Sequence, residues 1–466
     1  MIHRPSPRTI PANRMAAAAT VVLAAALCLT ATASAQRRPA RRGELPAIDA
    51  RTRASVVDSV TGAIDSIYVL GDEARRITAH LRARLAAGAF DSLADPVALA
   101  QWLEAEAQGV HRDGHFGIVA LPPAPAAAPG TSGPDPREAE RRLRILRATN
   151  YGFAETRILP GNVGYLKFDG FTDTGDHPAA GEAATAAMNF LASCDALIID
   201  LRANGGGSPS MIRLLAGYLF AESTHLINWD IRAEKKTVQS WSADHVPGRR
   251  LPDVPVYVLT SENTFSAAEE FTFDLQHLKR ATIVGDTTGG GGHTVAAVGF
   301  GFDGFRILAR IPLGRAYDPK TGKGWDGIGV LPDVPVDAAQ ALTAAHAAAL
   351  DTLIAREKDA EIRARQTWAL EGLRGDLRPP RLSSADMNAF VGTYGPRRIF
   401  VQDGALWYQR EGRPPYRLEP MGRDLFRIRD LDYFRVGFAR DAGGRVVRLI
   451  GRYDDGRTDE SERTGR

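Results

Sequence analysis

The chain has 466 residues, of which 44% are hydrophobic and 24% charged, proportions typical of a globular protein with room for two or three domains. The formal net charge is +3 at pH 7, but residues 1–35 contain three arginines and no acidic residue, so the rest of the chain has no net charge. Apart from the short cluster Arg37-Arg38 and Arg41-Arg42, no basic stripe remains to bind phosphates, so the electrostatic argument for a nucleic-acid partner is lost.

Residues 1–35 have the pattern of a secretory signal peptide. Three arginines precede an apolar run from Met15 to Leu29, and small residues follow up to Ala35. The run is too short and too rich in alanine to span a membrane comfortably. We therefore expect cleavage near Ala35, export to the periplasm or the cell exterior, and no stable membrane insertion of the mature chain.

Residues 45–120 are predicted to form a helical N-terminal domain, because apolar residues recur at helical spacing from Val56 to Ile64. The domain ends in Asp113-Gly-His-Phe116, where the pattern changes to that of a strand. Residues 121–150 combine a linker rich in proline and alanine with a charged helix at about 137–147.

Residues 151–345 alternate between strand and helix patterns, which predicts an α/β core. Apolar strands are expected at 196–201 and 254–259, each followed by a turn and a helix. The first of these turns is Asn204-Gly-Gly-Gly207, and Ser266 stands in the second.

The last part of the chain changes character twice. A long alanine-rich helix is expected from Asp337 to about Leu370, so that residues 346–375 form a helix and a linker. Residues 383–466 show short strand patterns separated by Asp-Gly and Gly-Arg turns. They predict a small C-terminal β domain without a reactive cluster.

Ser266 is the residue on which the functional hypothesis depends. It stands where a helix is expected to begin, and the unpaired N–H groups of a helix N-terminus can stabilise an oxyanion. Serine is also among the commonest N-cap residues, so position alone leaves a structural role open. A nucleophilic serine needs a base, for which His115 and His293 are candidates. No zinc-ligand spacing is present, and neither a metal nor another cofactor is predicted.

Five motifs follow one another within about residues 50–345. They are Asp113-Gly-His-Phe116, Gly161-Asn-Val-Gly-Tyr-Leu166, Ala196-Leu-Ile-Ile-Asp-Leu-Arg-Ala-Asn-Gly-Gly-Gly207, Leu259-Thr-Ser-Glu-Asn-Thr-Phe-Ser-Ala-Ala-Glu-Glu-Phe271 and Trp325-Asp-Gly-Ile-Gly-Val-Leu-Pro-Asp333. In this order they resemble the serine peptidase family of the tricorn protease core and the carboxyl-terminal processing proteases, in the branch of interphotoreceptor retinoid-binding protein. The resemblance implies a crotonase/ClpP-like α/β core.

The resemblance also implies roles for individual residues. Ser266 would be the nucleophile and His115 its base. Asp326, at the position of the family's supporting glutamate, would be the carboxylate of the site. The oxyanion hole would be built from backbone N–H groups of Gly206, Gly207 and Ala267.

The sequence departs from the family pattern in three places. Gly291 stands where processing proteases have a lysine base, so a histidine base is expected instead. Asp326 is one methylene shorter than glutamate. Gly114 replaces the serine that directly precedes the histidine in the tricorn type.

The main hypothesis is an exported serine peptidase that cleaves peptides or unfolded proteins. Because the departures could leave the catalytic set incomplete, a non-catalytic carrier of a lipid or retinoid-like apolar ligand on the same scaffold is the alternative. A hydrolase of small esters or amides is a third possibility. The sequence leaves the oligomeric state, the substrate preference and the choice between His115 and His293 open.

Overall fold

The computed structural model describes residues 45–123 and 136–465. The expected signal peptide, residues 1–35, lies outside the described part of the chain. Among the helices of that part, none combines the length and the apolar character needed to cross a membrane.

The helices are α1 (Ala50–Ile67), α2 (Gly71–Ala86), α3 (Pro96–Val110), α4 (Pro136–Ala148), α5 (Pro178–Phe190), α6 (Pro209–Leu219), α7 (Ala267–His277), α8 (Ala338–Ile354), α9 (Ala360–Leu377) and α10 (Ser384–Phe390). The strands are β1 (Gly117–Leu121), β2 (Phe153–Leu159), β3 (Val163–Phe168), β4 (Ala196–Asp200), β5 (His225–Ile231), β6 (Lys236–Trp241), β7 (Val256–Thr260), β8 (Ala281–Gly285), β9 (His293–Phe302), β10 (Phe305–Tyr317), β11 (Val334–Pro335), β12 (Gly392–Tyr394), β13 (Arg397–Gln402), β14 (Ala405–Arg410), β15 (Tyr416–Arg417), β16 (Glu419–Pro420), β17 (Leu425–Arg427), β18 (Phe434–Arg440), β19 (Val446–Tyr453) and β20 (Thr458–Gly465).

Helices α1 to α3 form the helical N-terminal region that the sequence predicts. Asp49 caps α1 by accepting a hydrogen bond from Thr52 N at 2.7 Å, and Asp95 caps α3, which begins with Pro96. Their apolar faces are buried against β1, β9 and β10. The helices therefore hold in place the strand that follows His115.

Six strands form the central sheet, in the order β11-β8-β7-β4-β3-β2, parallel except for the edge strand β2. Every residue of β4 and β7 is buried, since α5, α6 and α7 pack on one face of the sheet and α8 and α9 on the other. The carboxyl ends of these two parallel strands meet at one edge of the sheet. That edge carries both the glycine turn after β4 and Ser266 after β7.

The second sheet is antiparallel, with the order β1-β10-β5-β6 and with β9 also paired to β10. Strand β1 begins two residues after His115, and β9 begins at His293 itself. Both candidate histidines are thus placed at the start of strands in this sheet.

Helix α4 lies apart from the hydrophobic core. Its bounds agree to within one residue with the predicted helix at 137–147, but none of its residues is buried. It packs chiefly against the 3₁₀ turn Asn150–Gly152 that follows it.

The C-terminal region is a nine-stranded antiparallel sheet in the order β15-β14-β13-β12-β20-β19-β18-β17-β16, with its own hydrophobic core.

The long helix predicted from Asp337 to Leu370 is wrong in one respect, because the chain breaks it into α8 and α9. Asp359 causes the restart by accepting hydrogen bonds from Glu361 N and Ile362 N at 2.9 and 3.0 Å. The predicted core boundary at residue 345 falls inside α8. The predicted α/β core, helical N-terminal region and C-terminal β domain are confirmed.

Candidate active site

Ser266 lies in a strained turn between β7 and α7. Its φ of 56° and ψ of −121° are unusual for a residue with a side chain, and such conformations cost about 1–3 kcal/mol unless the surroundings impose them. Two hydrogen bonds donated by backbone N–H groups impose the conformation here. Ser266 N donates to Glu269 Oε2 at 2.8 Å, and Phe265 N donates to Asn204 O at 3.1 Å. Strain of this kind at a polar side chain is typical of functional sites.

The partner of the Ser266 hydroxyl is His115. The distance from His115 Nε2 to Ser266 Oγ is 3.0 Å, and the imidazole packs against the ring of Phe265 with 4.8 Å between centroids. The histidine is 5% exposed, and this burial lowers its pKa to about 4, against the opposing effect of Asp113. The ring is therefore neutral at neutral pH and able to accept the serine proton.

Asp113, His293 and Asp326 form a second group beside this pair. Asp113 Oδ1 accepts the backbone N–H of His115 at 2.9 Å, and Asp113 Oδ2 accepts from His293 Nδ1 at 2.9 Å and from Tyr68 Oη at 3.1 Å. Although burial raises the pKa of Asp113, the hydrogen bond and charge of His293 hold it below its ordinary value. Asp113 is thus a charged carboxylate within the buried surroundings of His115.

Asp326 lies against His293 and not against His115. Its Oδ1 is 3.4 Å from His293 Nδ1 and accepts the backbone N–H of Gly292 at 2.9 Å. Burial raises the pKa of this carboxyl, with His293 acting in the opposite sense. Within residues 45–123 and 136–465, His115 Nδ1 is buried and has no hydrogen-bond partner. Direct support of His115 by Asp326, as the resemblance implies, stays a prediction.

The glycine turn and the start of α7 are in contact. A Cβ on Gly206 would lie 2.8 Å from Ser266 Cβ and 2.9 Å from Ala267 N, so only glycine fits there. Ala267 is the first residue of α7, where N–H groups have no acceptor within the helix. Gly206 N, in contrast, already donates to Asn204 Oδ1 at 2.9 Å. The structure brings Gly206, Gly207 and Ala267 to the serine, and their role as an oxyanion hole stays a prediction.

Glu269 links the serine turn to the loop of four glycines. Besides Ser266 N, it accepts hydrogen bonds from Thr288 Oγ1 at 2.6 Å, Gly290 N at 2.6 Å and Gly291 N at 2.7 Å. Burial raises the pKa of this carboxyl despite the four donors. Its spacing three residues after Ser266 is the signal in the sequence that indicates a bond to the serine N–H.

Gly291 leaves space that His115 occupies. A Cβ at this position would lie 2.4 Å from Phe265 Cζ and 2.7 Å from His115 Cε1. A lysine at residue 291 and a histidine at 115 in its present position therefore exclude one another. This packing gives a physical reason for the glycine that the sequence shows at the lysine position.

Residues 162–336 match the model of peptidase family S41. Among solved structures, the chain is similar to mature CPAF (19% identity over 38% of this chain and 48% of that one, TM-score 0.33). It is also similar to the photosystem II D1 C-terminal processing protease (17% identity, 62% and 94%, TM-score 0.40) and to the tricorn protease (14% identity, 70% and 37%, TM-score 0.41).

The chain thus spans about half the length of mature CPAF, and structural likenesses at these TM-scores do not bear on its activity. The family match confirms the predicted resemblance to this peptidase family, while the branch of interphotoreceptor retinoid-binding protein stays a prediction. The match also supports the predicted enzyme class, a serine-type peptidase.

Proposed function

Because residues 162–336 match peptidase family S41, we propose that this chain hydrolyses peptide bonds through an acyl-enzyme on Ser266, with His115 as general base. The observation that carries the proposal is the 3.0 Å contact between His115 Nε2 and Ser266 Oγ at a serine held in a strained turn. A serine that served only as a helix cap would need neither the strain nor the histidine.

The geometry suggests the following reaction. His115 Nε2 takes the proton of Ser266 Oγ while the oxygen attacks the carbonyl carbon of the scissile bond. The oxyanion forms beside the Ala267 N–H at the start of α7 and the adjoining glycine turn. The imidazolium then protonates the leaving amine. Water, deprotonated by His115, attacks the ester carbon and releases the new carboxyl end and free Ser266.

The carboxylates act on the charge that develops on His115. Transfer of the serine proton makes the ring cationic inside a buried site, where an unpaired charge is costly. Asp113, which is charged and bonded to the His115 backbone, offsets that cost. His293 donates a hydrogen bond to Asp113 from the other side, and Asp326 lies against His293, so the three residues position the base indirectly.

We also propose that the enzyme acts outside the cytoplasm. Support comes from the arginines, apolar run and small residues of positions 1–35. Expression of the full chain followed by cell fractionation tests this. The expected product is a mature protein starting near Gln36 in the periplasm or medium, whereas an uncleaved chain in the cytoplasm would refute export.

The experiment for the activity compares the purified wild type with Ser266→Ala on a denatured protein substrate. Wild type should generate new peptide ends, and the variant should not. Ser193→Ala, which changes an exposed serine after α5, is the matched control and should retain full activity. Unchanged turnover in Ser266→Ala would remove Ser266 from the mechanism. Absence of cleavage in wild type, with a co-purifying apolar ligand, would favour the carrier alternative.

A further inference from the structure

Asp113, His293 and Asp326 come from three separate segments and meet beside the catalytic pair. Asp113 precedes β1, His293 begins β9, and Asp326 follows β10. Each offers one nitrogen or oxygen atom, and these atoms all lie within 4.8 Å of one another. Among residues 45–123 and 136–465, no other three side chains of histidine, cysteine, aspartate or glutamate form such a group. The sequence gives no metal-ligand spacing for it, because Asp113 and His293 are 180 residues apart.

One imidazole N–H faces two carboxylates in this group. His293 Nδ1 donates to Asp113 Oδ2 at 2.9 Å, and Asp326 Oδ1 lies 3.4 Å from the same nitrogen. A single N–H points at one acceptor, so the ring serves Asp113 and leaves Asp326 Oδ1 to the backbone N–H of Gly292. A divalent cation in place of that one proton would bind all three side chains at once.

The distances in the group are close to those between the ligands of a zinc ion. Zn²⁺ binds histidine nitrogen and carboxylate oxygen at about 2.0–2.2 Å, which puts the ligand atoms of a tetrahedral site about 3.3–3.6 Å apart. The separations of 2.9 and 3.4 Å from His293 Nδ1 are similar. An imidazole together with carboxylates suits Zn²⁺, whereas Mg²⁺ and Ca²⁺ prefer ligand sets made of oxygen alone.

Further hydrogen bonds fix the orientation of the two carboxylates. Asp113 Oδ2 also accepts from Tyr68 Oη at 3.1 Å, and Asp113 Oδ1 accepts from His115 N at 2.9 Å. Asp326 Oδ1 accepts from Gly292 N at 2.9 Å. Outer hydrogen bonds of this kind orient the ligands in protein metal sites. The three side chains are therefore held in place before an ion arrives.

Side-chain exposure shows how an ion would reach the group. The side chains of Asp113 and His293 are 1% and 2% exposed, whereas that of Asp326 is 28% exposed. An ion would therefore arrive from the side of Asp326, where water can supply the fourth ligand.

An ion in this group would act on the base. In the proposed mechanism Asp113 offsets the positive charge that develops on His115, and a dication bound to Asp113 would remove that offset. We propose that Asp113, His293 and Asp326 bind one Zn²⁺ ion per chain, and that bound Zn²⁺ inhibits the peptidase. The inhibition rests on the proposed function, whereas the binding does not.

The binding is tested on Ser266→Ala protein, so that no catalytic activity is needed. Zn²⁺ is titrated into the metal-free protein in competition with a chromogenic zinc indicator. Adding Asp326→Asn should weaken the binding roughly tenfold or more, because the amide can still accept from Gly292 N but carries no charge. Adding Glu106→Gln is the matched control, since Glu106 faces His80 in another histidine–carboxylate pair, and it should leave the binding unchanged.

The inhibition is tested by measuring kcat/KM of wild type on one peptide with and without Zn²⁺. Saturating Zn²⁺ should lower kcat/KM by roughly tenfold or more, since it acts on the general base, and the chelator dipicolinate should restore it. Mg²⁺ at the same concentration should have no effect. Asp326→Asn should need a higher Zn²⁺ concentration than wild type for the same fractional inhibition.

The outcomes separate the two halves of the proposal from the peptidase function. Failure of Ser266→Ala protein to bind one Zn²⁺ per chain, or equal affinity after Asp326→Asn, would overturn the metal site. Binding at this site without loss of kcat/KM would overturn the inhibition. A wild type that binds Zn²⁺ but does not cleave peptides in its metal-free form would refute the proposed function, and the inhibition with it, and leave the metal site standing.

Discussion

Ser266 Oγ and His115 Nε2 lie 3.0 Å apart, although 151 residues separate the two along the chain. The serine follows a strand of the central sheet, and the histidine precedes the first strand of the second sheet. The helical N-terminal region packs on that second sheet, so its core determines whether the histidine reaches the serine. The helical region is therefore a structural part of the active site as well as a neighbouring unit.

The identity of the base predicts different effects for the two histidines. His115→Ala should lower kcat roughly 10² to 10⁴-fold, the usual contribution of a general base. His293→Asn should cost at least tenfold less, because the asparagine amide can still donate a hydrogen bond to Asp113. Steady-state kinetics of both variants on one peptide show which histidine is the base. A larger loss of kcat in His293→Asn than in His115→Ala would transfer the role of base to His293.

The activity should persist into acid. Burial lowers the pKa of His115 to about 4, and a histidine base works only in its neutral form, so the acidic limb of kcat/KM should lie well below pH 6.5. An exposed histidine would lose half of its activity near pH 6.5. The profile is measured from pH 3.5 to 9, with circular dichroism at each point to show that the protein is folded. A half-maximal point at or above pH 6.5 would contradict the buried neutral base.

Gly291→Lys should inactivate the enzyme. The new side chain would start 2.7 Å from His115 Cε1 and 2.4 Å from Phe265 Cζ, and overpacking typically costs about 1–3 kcal/mol of stability. We expect at least a hundredfold loss of kcat/KM and a lower melting temperature. Gly299→Lys is the control, since a Cβ there meets nothing within 4 Å. Full activity in Gly291→Lys would show that the histidine does not need this space.

Glu269→Gln should destabilise the serine turn. The two carboxylate oxygens accept four hydrogen bonds. In glutamine one of these oxygens is replaced by an NH₂ group, which donates, so at least one backbone N–H loses its acceptor. Such a group costs about 1–3 kcal/mol, so both the melting temperature and kcat should fall.

Glu270→Gln is the matched control for that variant. It changes the next residue of α7, which is equally buried, and burial raises the pKa of this carboxyl to about 8. Glu270 is therefore protonated at pH 7, and a neutral amide should replace it at little cost. Equal melting temperatures for the two variants at pH 7 would refute the role given to Glu269.

Local patterns in the sequence were enough for the fold but not for the site. Turn residues and apolar runs predict the α/β core, and the bounds of α4, because both depend on neighbouring residues. The break between α8 and α9 was missed, since one capping residue, Asp359, outweighs an otherwise continuous helical pattern. The strained φ of Ser266 has no signature in its flanking residues, and it arises from bonds to Glu269 and Asn204 that only the fold brings together.

The catalytic partners show the same limit. His115 could be singled out from ten histidines only through the resemblance to a known family, because a contact across 151 residues leaves no trace in spacing. Nothing in the sequence singles out Asp113 as a partner of the base, although it stands two residues before His115. Its importance becomes visible only when His293, 180 residues further on, is seen to donate to it.

The most direct measurement is the mass of the peptide that carries Ser266 after reaction of the purified protein with a fluorophosphonate. The account predicts one adduct per chain, on Ser266, formed rapidly in wild type and much more slowly in His115→Ala. Denatured protein should not react, because the neutral imidazole then no longer contacts the hydroxyl. An adduct on another residue, or an unlabelled Ser266 in folded protein that cleaves peptides, would contradict the central claim.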